Sequence, residues 1–439
     1  MEYGLIGKKL GHSFSKTIHA KIADYSYELL ELSETEIHIF LKEKDFKAVN
    51  VTIPYKQTVI PYLDEISPAA KSIGAVNCIR NDNGKLIGHN TDFDGLRELI
   101  TRHRITSLKG ETVLILGTGG TSDTAKAVCE SLGALEIIKV SRKVVDDQAS
   151  FEDSSSEGTS CNRSLSKSAS GKCKCITYDM AISDFTHASL IINATPAGMY
   201  PDIQSQAIKL DKFKNLRGVF DAVYNPLRSQ LICSAQELGI EASGGLFMLV
   251  LQAIKASEFF LQKTYPGELA ETIYRQIALE KTNIVLTGMP ASGKSTVGKI
   301  LASELSKKFV DVDDLIREQA GLEIPEIFSR FGEKHFRDLE SQVISEIAKE
   351  SGLVIATGGG SVLRGENVRN LKLNGMLFFL NRDPKTLIPT EDRPTASSAE
   401  KIMKLYRERL SIYESCCDFN IRALTIENTV QTILSSLII

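Results

Sequence analysis

Tryptophan is absent from the 439 residues, so ligand binding by this chain has no intrinsic indole signal to report it. Also missing is any apolar run of about 18 residues, the length a membrane-spanning helix needs. The first residues lack the continuous apolar stretch of a secretory signal. Neither sign of charge is in excess: 52 Lys and Arg against 55 Asp and Glu give a formal net charge of −3. That balance gives no reason to expect nucleic acid or an anionic membrane as partner. The eight cysteines are scattered except for "CKC" (173–175) and "CC" (416–417), which is no disulfide framework. Cys161, Cys173 and Cys175 match no zinc-ligand spacing. The expectation left by these absences is a cytoplasmic globular protein. Its length suggests two or three domains, and its 42% apolar content is ample for their cores.

Short apolar runs alternate with longer helical patterns almost throughout, the signature of parallel α/β architecture. Three runs lead into glycine-rich turns: "TVLILGTGG" (112–120), "NIVLTGMPASGKST" (283–296) and "GLVIATGGG" (352–360). The first two are nucleotide-site candidates about 170 residues apart, which implies two separate nucleotide-binding units. Between them "LVLQAIKASEFFLQK" and "ELAETIYRQIALEK" read as helices, and no Gly/Ser tether follows, so an abrupt boundary is expected at 278–282. The stretch 151–170 holds eight serines and few apolar residues; it reads as a low-complexity loop.

In the first nucleotide candidate a strand turns at Gly117, Gly119 and Gly120 and opens a helix whose free N–H groups suit a pyrophosphate. Ser122 stands where the general fingerprint has its third glycine. The next strand ends at "SRK" (141–143). Arg142 and Lys143 supply positive charge where an acidic residue would select NAD, which favours NADP. Upstream, "VNVTIPYK" (49–56), Asn77, and "GHNTDFDG" (88–95) with Asn90 and Asp92 place lysine, carboxylate and amides near strand ends. That set suits a polyhydroxylated ligand. Lysine can stabilise a developing alkoxide as a cation and deliver its proton.

The second candidate, "GMPASGKS" (288–295), satisfies G-x-x-x-x-G-K-[ST] between a strand and a helix. Gly288, Gly293 and Thr296 would help to cradle the phosphates of ATP. Lys294 would reach the β/γ oxygens, and the Ser295 hydroxyl would ligate Mg²⁺. In "FVDVDDLI" (309–316) Asp311 and Asp313 are read at a strand end, two apart and hence on one face, with Asp314 as a surface ion-pair residue. Arg337, "ATGGG" (356–360), "EDRPT" (391–395) and Arg409 complete the polar set.

The stretches "HSFSKTIH", "NVTIPYK", "GAVN", "NTDFDG", "GTGG", "INATPAGM", "VYNPL" and "GLFMLVLQA" resemble shikimate dehydrogenase, in its order and spacing, over roughly residues 1–275. The remainder, roughly 281–439, is similar to shikimate kinase. The resemblance implies that Ser13 and Ser15 bind the substrate carboxylate and that Lys56 and Asp92 are the catalytic pair. Asn77, Tyr224 and Gln252 would line the substrate site, with Met199 near the nicotinamide; Asp221 reads as a strand-end residue. In the kinase half it implies Asp313 on the ring hydroxyls as proton acceptor and Asp311 at the Mg²⁺ site. Arg337, oriented by Glu340, and Arg409 would bind the shikimate carboxylate. Gly358, Gly359 and Gly360 would let backbone approach the ring, and Arg393 with Pro394 would close over the transferring phosphoryl group.

Departures from the family pattern are Lys16 for a proline, "SRK" for Asn-Arg-Thr, the serine-rich insertion, and Ala291 for a glycine of the phosphate loop, a change expected to be tolerated. The expected architecture is a substrate domain (1–100), a Rossmann NADP-binding domain (101–245), helices returning to the substrate domain (246–280) and a P-loop kinase domain (281–439) with a parallel sheet. The implied function joins NADPH-dependent reduction of 3-dehydroshikimate to phosphorylation of shikimate by MgATP. Small-molecule substrates are the expected partners, and the sequence leaves the oligomeric state open. The alternatives are a quinate/shikimate dehydrogenase fused to a kinase, against which Arg142 argues, and a non-catalytic metabolite sensor.

Overall fold

The computed structural model describes residues 1–11, 13–143, 173–387 and 398–437. The serine-rich stretch 151–170, Cys161, and the pair Arg393 and Pro394 lie outside the described residues. The chain divides into two compact units. Met1–Pro196, Ala207–Ala222 and Ser234–Tyr265 form the first; Ala197–Gln206, Val223–Cys233 and Pro266–Ile439 form the second. Among the described residues no helix is long and apolar enough to cross a membrane.

The first unit holds two six-stranded sheets. One is built from β1 (Tyr3–Gly7), β2 (Tyr27–Glu31), β3 (Ala48–Val51), β4 (Glu65–Ile66), β5 (Cys78–Asp82) and β6 (Lys85–His89), in the order β2-β1-β3-β5-β6-β4. It is mixed rather than parallel throughout, because β5 runs antiparallel to β3 and β6. The physical reason is the turn at Asn83 and Gly84, with φ of 54° and 91°, the paired left-handed geometry that closes a two-residue hairpin. The second sheet has β7 (Thr112–Leu116), β8 (Glu136–Ser141), β9 (Lys174–Thr177), β10 (Leu190–Asn193), β11 (Gly218–Asp221) and β12 (Glu241–Ser243). Its order is β12-β11-β10-β7-β8-β9, all parallel. Runs such as "VLIL" in β7 are buried on both faces, as helix-covered parallel strands must be.

The second unit carries β13 (Asn283–Thr287), β14 (Lys308–Asp311), β15 (Leu353–Ala356), β16 (Gly375–Asn381) and β17 (Phe419–Arg422) in the parallel order β14-β15-β13-β16-β17. Two placements differ from those expected. Of the helix pair expected to return to the substrate domain, Leu246–Leu261 packs on helices Ser15–Ile22 and Asp92–Thr101. Leu269–Lys281 belongs instead to the second unit. Asp313 does not extend a strand: β14 ends at Asp311, which caps the helix Val312–Ala320 by accepting the Asp313 N–H at 3.0 Å. Local capping by aspartate wins over the strand pattern.

His19 is fully buried. Its ring stacks on Tyr27 at 3.8 Å, and its Nδ1 bonds the Tyr25 hydroxyl at 2.5 Å. Burial pushes its pKa down to about 3. An unfolded histidine titrates near 6.5, so between about 6.5 and 3 the unfolded chain binds the extra proton and stability falls with pH. Urea midpoints at pH 7.5 and 5 are expected to differ less for His19→Phe than for the unmodified chain.

Candidate active sites

The turn after β3 presents Lys56 because the neighbouring Tyr55 is sunk in the core, 1% exposed, its hydroxyl donating to Leu32 O at 2.6 Å. Lys56 Nζ donates to Asp92 Oδ2 at 2.6 Å, and both side chains are largely buried. Asp92 opens the helix Asp92–Thr101, where the N-terminal dipole favours a carboxylate. Its placement comes from Asn77, whose Oδ1 accepts the Thr91 N–H at 2.7 Å and whose Nδ2 donates to Thr91 Oγ1 at 3.0 Å. The same amide donates to Gln252 Oε1 at 3.3 Å. Lys56, Asp92, Asn77 and Gln252 are thus gathered in one polar cluster. Ser13 Oγ donates to Ser15 Oγ at 3.0 Å, and Ser15 opens the helix Ser15–Ile22, which packs on the helix bearing Gln252.

Asn90 is tied into the surrounding backbone. It is 1% exposed; its amide donates to Ala75 O at 2.9 Å and its Oδ1 accepts the Phe93 N–H at 3.3 Å. It holds the start of the Asp92 helix. Tyr224 and Met199 both fall in segments of the second unit, Met199 at 38% exposure and Tyr224 half-buried. Asp221 ends β11 fully buried, accepting from Asn193 Nδ2 at 2.9 Å, a structural position.

The glycine turn after β7 touches this cluster. Gly117 has φ of 110° and leaves no room for a side chain, since a Cβ would lie 2.9 Å from Thr195 Cγ2. Gly119 caps the helix Gly120–Ser131 over open space, leaving its first N–H groups accessible to a phosphate. A Cβ on Gly120 would meet the Lys56 stem at 3.4 Å. Ser122 is fully buried. Arg142 and Lys143 are exposed just past β8. Sequence reasoning missed Asp123, which accepts from Gln57 Nε2 at 3.0 Å and from Lys139 Nζ at 2.5 Å. It ties the residue after Lys56 to the cofactor helix; an acidic residue in that helix's first turn was the available signal.

In the second unit, Lys294 is 8% exposed and donates to the loop carbonyls of Gly288 and Met289 at 3.0 and 2.9 Å. Ser295 Oγ donates to Asp311 Oδ2 at 2.6 Å. Thr296 is exposed on the first turn of the helix Lys294–Glu304. Gly288 and Gly293 have φ of 144° and 91°. Ala291 is also left-handed, at φ 63°, so the departure from glycine is accommodated with backbone strain on the order of 1 kcal/mol.

A cavity of about 300 Å³ lies beside the loop, lined by Ser295, Asp313, Arg337, Glu340, Gly358 and Arg409 among others. Arg337 Nη1 donates to Glu340 Oε2 at 2.7 Å, Glu340 being fully buried. Arg409 Nη1 donates to Gly359 O at 2.9 Å. Tyr413, missed from the sequence, donates to the same carbonyl and stacks on Phe379 at 4.8 Å; burial pushes its pKa up to about 12. Arg317 also lines the cavity and pairs with Asp314 and Glu323, in keeping with the ion-pair reading of Asp314.

The glycine run is a mould for these groups. A Cβ on Gly358 would lie 2.7 Å from Glu340 Oε1, one on Gly359 2.8 Å from Pro290, and one on Gly360 2.3 Å from the Arg337 guanidinium. Gly360→Ala is therefore expected to displace Arg337 and lower kcat/KM at least about tenfold for the phosphorylation that the sequence leads one to expect, a loss of about 1.4 kcal/mol. The reduction expected of the first unit should be unchanged; assaying both reactions on one preparation checks this.

Comparison with known proteins gives matches to both parts of the chain. Residues 5–79 match the model of the shikimate dehydrogenase substrate binding domain, and residues 290–438 that of shikimate kinase. The NADP(+) shikimate dehydrogenase of Clostridium perfringens is 35% identical over 283 residues, 63% of this chain and 97% of that protein. The one from Methanosphaera stadtmanae is 34% identical over 60% of this chain and 91% of that protein. Among solved structures, shikimate dehydrogenase 1 from Peptoclostridium difficile is similar at 31% identity and a TM-score of 0.55. The match covers 63% of this chain and 98% of that one. A chorismate mutase/shikimate 5-dehydrogenase fusion from Clostridium acetobutylicum gives 29% identity and a TM-score of 0.54, covering 63% and 96%. The chain belongs to the shikimate dehydrogenase family, with a shikimate kinase domain fused behind it, and is a bifunctional enzyme of the shikimate pathway.

Proposed function

We propose that the chain reduces 3-dehydroshikimate to shikimate with NADPH and phosphorylates shikimate at its 3-hydroxyl with MgATP. The observation that carries the reading is the Lys56–Asp92 pair at 2.6 Å, seated against the glycine turn of the cofactor helix. Residues 1–100 would hold the substrate, 101–245 the dinucleotide, and 281–439 would form the kinase.

NADPH would supply the hydride, and ATP with Mg²⁺ the phosphoryl group. In the first reaction Lys56 stabilises the oxygen that gains charge and gives it a proton. Asp92 fixes the ammonium and accepts from a neighbouring ring hydroxyl. Asn77 and Gln252 orient the ring, and Ser13 and Ser15 donate to its carboxylate. Gly117, Gly119 and Gly120 fit a pyrophosphate, and the NADP(+) relatives support Arg142 and Lys143 as partners of a 2′-phosphate.

In the second reaction Asp313 accepts the proton of the attacking hydroxyl. Arg337 and Arg409 neutralise the substrate carboxylate, while Gly358 to Gly360 let the ring approach backbone. Lys294, with Gly288, Gly293 and Thr296, surrounds the phosphates. Ser295 and Asp311 present the hard oxygen donors that Mg²⁺ takes, already 2.6 Å apart, and would hold the ion.

The test mixes the purified chain with 3-dehydroshikimate, NADPH, ATP and Mg²⁺, following NADPH absorbance and shikimate 3-phosphate by mass spectrometry. Consumption of NADPH with phosphorylated product is expected. NADH in its place should support at most about a tenth of the rate, given the two basic residues after β8; equal rates would remove the role given to Arg142. Lys56→Met should slow reduction about 10²- to 10⁴-fold while phosphorylation of added shikimate continues. Shikimate accumulating unphosphorylated would remove the kinase assignment.

A further inference from the structure

Resting on the kinase reading, we infer that Ser361 is a positioning residue for substrate binding: its hydroxyl fixes the buried Glu340 carboxylate, and through it the Arg337 guanidinium. Ser361 follows the glycine run and is fully buried. Its Oγ donates to Glu340 Oε1 at 2.6 Å, while Arg337 Nη1 donates to the other oxygen, Oε2, at 2.7 Å. Each oxygen of a fully buried carboxylate is thereby held by its own donor, one neutral and one cationic.

Ser361 is itself fixed. Its N–H donates to Gly358 O at 3.2 Å and its carbonyl accepts from Asn367 Nδ2 at 3.0 Å, the asparagine also being fully buried. The hydroxyl thus has a defined origin, and the carboxylate plane is set from the glycine loop rather than from the helix that carries it. Arg337 ends the relay, and its guanidinium borders the cavity. Removing the hydroxyl leaves a buried carboxylate oxygen without that donor. The carboxylate then turns towards its remaining partner, and the fork of Arg337 leaves the position that matches a substrate carboxylate. The role acts on acceptor binding alone, because Ser361 stands among neither the phosphate-loop residues nor the first unit.

The experiment measures steady-state kinase kinetics of the full chain, by coupled release of ADP, for the unmodified protein, Ser361→Ala and Ser361→Thr. Ser361→Ala is expected to raise KM for shikimate about tenfold, with KM for ATP and the dehydrogenase rate within about twofold of the unmodified chain. Ser361→Thr, which keeps the hydroxyl, should recover most of that loss. In a Glu340→Gln background Ser361→Ala should add less than about twofold, as expected for residues acting through one contact. The inference is overturned if Ser361→Ala leaves KM for shikimate unchanged, if KM for ATP rises in parallel, or if the full effect persists beside Glu340→Gln. Those outcomes leave the kinase reading standing. Absence of shikimate phosphorylation by the unmodified chain is a different result, which removes that reading and this inference together.

Discussion

Strand direction decides where the chemistry can happen. A parallel strand hands its chain to a turn at its carboxyl end, and in a parallel sheet all such turns lie along one edge. Lys56 follows β3, Asp92 follows β6, Gly117 follows β7 and Arg142 follows β8; in the second unit Gly288, Asp313 and Gly358 follow β13, β14 and β15. Asn77 is the informative exception, since it precedes its strand. β5 runs antiparallel to β3 and β6, so its beginning lies where theirs end. The Val51 N–H reaches Asn77 O at 2.8 Å, and the Asn77 N–H reaches His89 O at 3.1 Å. The hairpin at Asn83 and Gly84 therefore brings an amide to the same edge as lysine and aspartate.

Once gathered at such an edge, charged groups must be compensated, since water is largely excluded there. Both sites solve this with charges of opposite sign in direct contact, Lys56 with Asp92 and Arg337 with Glu340. In each, neutral donors and acceptors then fix the geometry. Asn77, Thr91 and Asn90 set the start of the Asp92 helix, and Ser361 meets the far oxygen of Glu340. Ion pairing joins the groups while the amides and hydroxyls hold their direction. The chemistry of each site thus depends on polar residues that need not touch substrate.

How much of this the sequence disclosed depended on distance along the chain. Both glycine turns, the phosphate-loop lysine and serine, and Asp311 could be read because each sits in a short pattern next to a strand. Arg337 and Arg409 lie inside helices and take their roles only from the family resemblance. The mixed first sheet was hidden, although "NDNG" carries the hairpin signal, because alternation of strands and helices outweighed it. Asp313 was placed on a strand because "FVDVD" alternates, whereas a cap decided the matter locally. Contacts such as Asn77 with Gln252, or Tyr413 with Gly359, join residues far apart in the chain, and no local pattern encodes them. Ser361 and Asp123 belong to the same class: ordinary polar residues whose importance comes only from what folds against them.

The three glycines at 358–360 set the terms on which the kinase half can diverge. The volumes their side chains would fill are occupied by Glu340, Pro290 and the Arg337 guanidinium, so loop and site form a cast and its mould. A side chain at any of the three would have to displace its occupant, so the loop and the groups it holds can change only together. Variation is open instead on the other wall, where Asp314, Arg317 and Phe328 border the same cavity without occupying that space. Substitutions that reshape the cavity for a differently substituted ring fit on that wall, leaving the glycine mould undisturbed.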